Sequence, residues 1–478
     1  MPLSLKRYLS NLLFIVILFC SCSEKIKTAD FPVFLNEPAM IVNREQDNTI
    51  EGTYLRVGAM NMQDSSIKMN FPSNFFVTDS NCKNWVVGWG MNKPLYDAGV
   101  ENLRPIKSVD SLNRIIHLGP VVRGGGFPHK GQRMVFWNIH PSGFRNLHRT
   151  PIIDPAIWPA FHGKEVCFGP LEYDSTLQQW VMLVNECGTD SVQIYAATSK
   201  DLTNWLPANN GKPIIKSDDF VGCSWAGRDR NGKVAQTPYV SDVIRHNGQW
   251  FLFMDGYGKN GKRNIGVATS VNTMLGPYTI HKKPLIQPGP AGSWNDEACF
   301  YAKVKKYNKG FILFYDGRNA KGSEKIGVTY SDDLLNWKNA AKNPVIDQHT
   351  GWRSFEGTTE PNYIEVRNDS IFLLVAGVKK FKAGPWHHYI TQRMYMDQSG
   401  NVNDPQLGFY LSIDGGNTFV AHKNNPVFTN DYTNPYESDH MGGNFKLIKT
   451  DTADVIIYQA KSDDGTSQYN VLQRVRKK

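Results

Sequence analysis

Ser199-Lys-Asp201-Leu-Thr-Asn-Trp205 and Ser331-Asp-Asp333-Leu-Leu-Asn-Trp337 are one seven-residue turn written twice. Two looser copies, Ser270-Val-Asn272 running to Gly276-Pro277-Tyr278 and Ser412-Ile-Asp414-Gly-Gly416-Asn-Thr418-Phe419, complete a set of four. Their serines lie 71, 61 and 81 residues apart. Ahead of each turn stand two apolar stretches, of which Gln249-Trp-Phe-Leu-Phe-Met254 followed by Asn264-Ile-Gly-Val-Ala is typical. Behind each comes a Pro-led closing segment: Pro213-Ile-Ile, Pro284-Leu-Ile, Pro344-Val-Ile and Pro426-Val-Phe. Runs rich in β-branched and aromatic residues, bounded by turn residues, read as strands. A strand–strand–turn–strand unit repeated at this size implies a radial or stacked β architecture.

A fifth copy starts at Glu437-Ser-Asp439-His440 and continues to Tyr469-Asn-Val-Leu-Gln-Arg474, where it ends without its last strand. A truncated final unit is expected where an N-terminal strand completes it, leaving no exposed sheet edge. Arg133-Met-Val-Phe-Trp137 is the candidate for that strand. The expected fold is all-β, a five-bladed β-propeller over residues 131–478, preceded by an extended N-terminal segment over 23–130 that packs on it. Residues 23–130 carry no repeat, and Arg123-Gly-Gly-Gly126 lacks the lysine and following helix of a phosphate cradle.

Residues 1–22 read as a secretory signal: Lys6 and Arg7 precede an apolar run from Leu12 to Phe19, too short to span a membrane. It ends in Phe19-Cys20-Ser21-Cys22-Ser23, which resembles a bacterial lipobox with Cys22 as the acylated residue. The expected location is the outer membrane, facing the periplasm or the exterior, held by lipid alone. The five later cysteines show no Cys-x-x-Cys or Cys/His spacing, so no metal centre is expected from them, and a Cys167–Cys187 bridge stays open. A formal net charge of +9 is spread without a basic helix or an RNA-binding signature, which argues against nucleic acid.

Inner strands of neighbouring blades start near a common channel, so polar residues at those starts converge. Aligned on Pro170, Pro238, Ala302 and Pro361, the units place Glu165, Glu297 and Glu356 five residues upstream in three cases. Asp296, Glu360 and His440 join them, and the second unit offers Arg228. A tryptophan stands ahead of each start: Trp158, Trp225, Trp294 and Trp352. Converging carboxylates beside indole rings suit hydrolysis of a glycosidic bond, in which one carboxyl protonates the leaving oxygen while another activates water or attacks the sugar. The same tryptophans could equally be spacers between blades. The Ser-x-Asp turns, regular and on outer hairpins, are read as structural.

On these residues the chain resembles the five-bladed propeller glycosidases that include glycoside hydrolase families 43, 32, 62, 68, 117 and 130. The likeness lies in Gly292-Ser-Trp294-Asn-Asp296, Phe311-Ile-Leu-Phe-Tyr315-Asp-Gly317, Ser331 to Trp337, and the Gly276-Pro277-Tyr278 turn. The resemblance implies a catalytic base at Glu165, where aspartate is usual, and a modulating acid at Asp296. It implies a proton donor at Glu360 or Glu356, with His440 near the substrate. Phe355-Glu-Gly-Thr-Thr-Glu360-Pro361 splits the Glu-Gly-Pro signature of family 43, which marks an atypical member. Trp225, Trp294, Trp352, Glu297 and Arg228 complete the expected sugar contacts. No cofactor is required on this reading, and a structural calcium ion in the channel stays open. The expected activity is cleavage of a plant or algal polysaccharide or oligosaccharide by an inverting mechanism. The alternatives are a sialidase-like enzyme, suggested by the Ser412–Phe419 turn, and a non-catalytic glycan-binding propeller.

Overall fold

A computed structural model describes residues 55–61, 64–69, 78–80, 82, 85–89, 102–119, 133–138, 145–146, 151–159, 165–167, 169–187, 193–228, 238–347, 357–382, 401–422, 440–441, 444–461 and 467–475. The signal segment and Cys22 lie outside them.

Ahead of the repeat, β1 (Leu55–Asn61), β2 (Ser66–Met69), β3 (Trp85–Trp89), β4 (Asn102–Asp110), β5 (Ile115–Leu118) and β6 (Arg133–Asn138) form a closed barrel in the order β1-β2-β5-β4-β3-β6. Ile67, Val87, Ile106 and Ile116 are buried in it. Its strands are short and interrupted by glycine and polar residues, which blurs the period-two pattern.

The repeat forms five antiparallel units. The first contains β8 (Glu165–Cys167) and β9 (Leu171–Asp174), both paired with β10 (Gln179–Cys187), then β11 (Ile194–Ser199) and β12 (Leu206–Pro207). The second is β13 (Tyr239–His246), β14 (Gln249–Tyr257), β15 (Arg263–Ser270) and β16 (Thr279–Ile280). The third is β17 (Ala298–Tyr307), β18 (Gly310–Arg318), β19 (Glu324–Ser331) and β20 (Lys338–Asn339). The fourth is β21 (Gly357–Arg367), β22 (Ser370–Lys382), β23 (Asn401–Ser412) and β24 (Val420–Ala421). The fifth has β25 (His440–Met441) and β26 (Lys446–Lys449) on β27 (Ala453–Lys461), then β28 (Ser467–Val475).

The strand that completes the fifth unit is β7 (Arg145–Asn146), through Leu472↔Asn146 and Gln473↔Arg145. Arg133–Trp137, the candidate from sequence, belongs instead to β6 and is spoken for on both edges by β1 and β3. Closure through an N-terminal strand holds, but by a segment lying closer to the first unit.

Five apolar clusters sit between consecutive units and close the ring. Val181 and Leu183 pack with Val240, Leu252 and Met254; Phe251 and Phe253 pack with Leu313 and Tyr315. Ile312 and Phe314 meet Leu373 and Val375; Phe372 and Leu374 meet Phe445, Ile456 and Tyr458. Finally Ile448, Val455 and Ile457 meet Val166, Met182 and Val184, which joins the last unit to the first. Each second strand thus buries both faces, one against each neighbour. That is why these strands read as unbroken apolar runs rather than alternating ones.

Of the tryptophans read as spacers or sugar platforms, Trp158 and Trp225 are buried spacers, while Trp294 is partly exposed. Trp225 has no exposed surface, donates its indole N–H to the His281 carbonyl at 2.7 Å, and lies edge-on to Phe220. A Cβ on Gly266 would fall 2.2 Å from this ring. Trp225 is therefore no sugar contact, a correction to the sequence expectation. Trp294 packs on Tyr315, and a Cβ on Gly327 would stand 2.6 Å from it. The repeated Ile-Gly-Val of β15 and β19 exists to admit an indole.

The Ser-x-Asp turns are self-contained. The Ser199 hydroxyl accepts from the Leu202 N–H at 2.9 Å, and Asp201 accepts from the Thr203 and Asn204 N–H groups at 2.9 and 2.8 Å. Those bonds, Asn204 foremost, hold the Asp201 carboxyl down at about 2. Ser331 and Asp333 repeat the pattern, and Ser412 and Asp414 use it within their own turn. Cys167 lies opposite Asn185 in register and is a buried thiol, so the Cys167–Cys187 bridge is not formed.

Gly266→Ala should lower the unfolding free energy by about 1–3 kcal/mol, because the methyl group must displace a buried indole. The urea midpoint measures this, and an unchanged midpoint would show that Trp225 has room to retreat.

Candidate active site

The inner strands of the second, third and fourth units share one irregularity. Register breaks between Val240 and Asp242 in β13, between Phe300 and Lys303 in β17, and around Thr359 to Tyr363 in β21. Tyr301 and Glu360 sit in these bulges at φ of 53° and 45°, the left-handed region that bulky residues rarely enter. A bulge re-aims a side chain out of the regular pleat, and such strain gathers at functional sites. Ser241, Tyr301 and Glu360, one from each unit, together with Lys303, Asn362 and Asn444, line one pocket. Aligning the second unit on Pro238 placed its equivalent point three residues early, because the bulge, not the strand start, sets the register.

The bulges are held open by the preceding unit. Asn185, near the end of β10, accepts from the Val240 N–H at 2.7 Å and donates to the Pro238 carbonyl at 3.1 Å. Asp255 on β14 accepts from the Tyr301 N–H at 3.1 Å and from the Ser241 hydroxyl at 2.8 Å. Asp316 on β18 accepts from the Glu360 N–H at 3.2 Å. Each of these side chains is fully buried. Desolvation, helped by the nearby Glu324, raises the Asp316 carboxyl well above the usual carboxylate range.

Around the pocket lies a cationic and aromatic wall. Arg263 bonds Asp255 at 2.5 Å and is flanked by the rings of Phe300, Tyr301 and Tyr239, at 4.6, 4.9 and 5.1 Å. Below, the Lys303 ammonium donates to the Ser241 carbonyl at 2.6 Å and to Asn444 Oδ1 at 2.8 Å. A second cavity continues the channel beyond it, lined from all five units by residues including Pro170, Asp242, Lys305, Tyr363 and Lys446.

Burial pushes the Glu360 carboxyl up to about 7; Lys303 and Arg263 pull it down, and Asp255 pushes it up. Glu360 therefore keeps its proton over a pH range in which an ordinary glutamate has lost it. Lys303 is lowered to about 8, chiefly by burial, with Asp242 opposing.

Of the residues expected from sequence, Glu360 is in the pocket. Asp296 is not among the pocket's lining residues. Its two oxygens accept from the Gly292 N–H at 2.6 Å and the Ala320 N–H at 2.8 Å, which clamps two loops and holds the carboxyl below its ordinary value. Glu297 directs its N–H to the Arg318 carbonyl at 3.0 Å, and Arg228 forms an isolated bridge with Tyr257. Glu165 heads β8, facing Ser467 in parallel register, and His440 opens β25 opposite Lys461; their side chains lie outside the described residues, as do Trp352 and Glu356 entirely. Among the described residues no three or more His, Cys, Asp or Glu gather as a metal site. The Ser241 carbonyl and Asn444 Oδ1 in the channel accept from the Lys303 ammonium.

Sequence reasoning missed Ser241, Asp255, Arg263, Tyr301, Lys303 and Asn444. One signal was available: Met254-Asp255-Gly256 and Tyr315-Asp316-Gly317 end successive apolar strands with the same buried acid.

No family model matches the sequence, and neither does any curated protein. Among solved structures, the chain is similar to a thermostable family-43 glycoside hydrolase at 13% identity and a TM-score of 0.48, over 66% of this chain and 93% of that one. It is similar to a glycosyl hydrolase from Bacteroides ovatus at 17% identity and a TM-score of 0.47, over 69% and 93%. The catalytic domain of a Coprinopsis cinerea family-62 α-L-arabinofuranosidase gives 11% identity and 0.45, over 68% and 95%.

The folded protein holds the Glu360 proton more tightly than the unfolded chain does. That stabilisation is complete below the ordinary glutamate value and is lost as pH rises through about 7. Glu360→Gln should therefore gain stability relative to wild type between pH 5 and pH 8, on the order of 2–3 kcal/mol. Urea unfolding at the two pH values measures it; a constant difference would show that Glu360 titrates as an exposed acid.

Proposed function

We propose that this chain is a glycoside hydrolase in which Glu360 protonates the departing glycosidic oxygen. One observation carries the reading. A carboxyl held on a strained bulge at a pocket between units retains its proton up to about 7. A general acid works best with a value near the operating pH, and burial in a carboxylate-bearing pocket is the usual way to raise a glutamate there.

Glu165, at the head of the first unit's inner strand, is the proposed base, and Glu356 is the alternative proton donor. For an inverting reaction, the acid and base stand roughly 6.5–9.5 Å apart. The modulating role expected of Asp296 passes to Asp255 and Arg263, whose charges act on Glu360, while Asp296 supports the rim by joining its two loops. Ser241, Asn362 and Asn444 at the pocket supply hydrogen-bonding groups of the kind that sugar hydroxyls need. Fragments of a plant or algal polysaccharide are the proposed substrates. Export and lipid attachment through Cys22 at the outer membrane would place the enzyme where such fragments arrive.

A panel of aryl glycosides and polysaccharides, with products identified by mass spectrometry, tests this. Wild type should release sugars, and Glu360→Gln should lose about 10²–10⁴-fold in kcat while remaining folded. Activity should fall as pH rises through about 7, since the acid form is the working one. Equal glycan binding by both proteins with turnover by neither would replace the enzyme with a binding module.

A further inference from the structure

We propose that Lys303 is the resident cation of the channel and a positioning residue for the acid Glu360. Its ammonium, strapped between the second and fifth units, floors the pocket and supplies the charge against which Glu360 holds its proton. The inference rests on the role given to Glu360 above.

Lys303 alternates with Ala302 and Val304 on β17, both buried, so its side chain leaves the strand on the channel face. It lines both the pocket that holds Glu360 and the wider cavity beyond. The ammonium's two bonds, to the Ser241 carbonyl at 2.6 Å and Asn444 Oδ1 at 2.8 Å, cross the channel between these cavities. A methionine would fill the same space at less cost, because burying an ammonium is expensive unless it is paired and hydrogen-bonded. A lysine here is thus explained by its charge rather than its volume.

That charge has a small set of neighbours. Glu360 feels Lys303 and Tyr301 from β17, Arg263 from β15, Asp255 from β14, and Asp316 from β18 through its backbone N–H. Lys303 in turn feels Asp242 from β13, Lys446 from β26, Glu360 from β21 and its strand neighbour Lys305. Arg263 is tied to Asp255 at 2.5 Å, so its charge is largely answered. Among the described residues Lys303 makes no such carboxylate bond; its hydrogen bonds go to a carbonyl and an amide oxygen. Its field therefore acts on Glu360, opposing the burial that would otherwise drive the acid still higher and out of its working range.

Carbon-13 glutamate labelling reads the Glu360 titration directly, without substrate, with the signal assigned by its loss in Glu360→Gln. In Lys303→Met the midpoint should rise by about one pH unit or more, the size expected when a close opposite charge is removed. Lys303→Arg should keep the midpoint near that of wild type. Where turnover is measurable, the alkaline limb of kcat/KM should move with the midpoint. Should Lys303→Met not fold, Lys303→Gln removes the charge while still able to donate to the Ser241 carbonyl, and carries the same expectation. A folded, charge-free variant with an unmoved midpoint would overturn the proposal. A moved midpoint in a protein that cleaves no glycoside would leave the proposal standing and sink the proposed activity instead.

Discussion

A buried polar side chain at the end of one unit's second strand grips the backbone of the next unit's inner strand. Asn185, Asp255 and Asp316 each do this, and the last two accept from residues in the left-handed region. Leaving a buried N–H unmet costs about 1–3 kcal/mol, comparable to the cost of a strained backbone conformation. Without the acceptor, each bulge N–H would be buried and unmet, and the strand would gain by relaxing to regular pairing. The grip therefore fixes the bulge, and the bulge turns Tyr301 and Glu360 toward the channel. Packing between the units supplies most of the ring's cohesion, but these contacts decide its register.

The chemistry of the pocket follows from the same arrangement. Apolar clusters on both faces of every second strand keep water from the seams between units, so charges at their ends interact in a medium of low polarity. Desolvation then dominates the titration of Glu360, and the surrounding charges only trim it. Lys303 and Glu360 are opposite charges in one cavity whose midpoints approach one another, at about 8 and about 7. Such a pair changes protonation within the pH range where a neutral-pH hydrolase would work.

The fifth unit shows how closure and site formation are linked. Its β28 pairs with β27 along one edge, and on the other edge it takes β7 and meets β8 in parallel at Ser467↔Glu165. Two short segments from before and within the first unit thus lock the last one in place. Asn444, just ahead of β26, is then held where it can accept from Lys303 on the opposite side of the channel. Loss of closure would remove one of the ammonium's two partners.

Repetition was legible in the sequence because each unit meets the same neighbours and so needs the same turn and the same apolar strand, with a glycine under an indole in the second and third units. The Ser-x-Asp turns, Ile-Gly-Val strands and truncated last unit sufficed to place four-stranded modules around a ring. Glu360 was visible as an acid beside an inner strand. The barrel of residues 55–138 and the true closing strand were not, because short interrupted strands lack a period and Arg133–Trp137 satisfies a strand pattern in either setting. Nor could the sequence distinguish Trp225 as filler from Trp225 as a sugar platform, since indoles serve both purposes. Asp296, Asp255 and Glu360 are equivalent as letters. Only the tertiary structure assigned one to a loop clamp, one to an arginine and one to the pocket, because a carboxyl's protonation and direction depend on the burial and charges brought to it from other units.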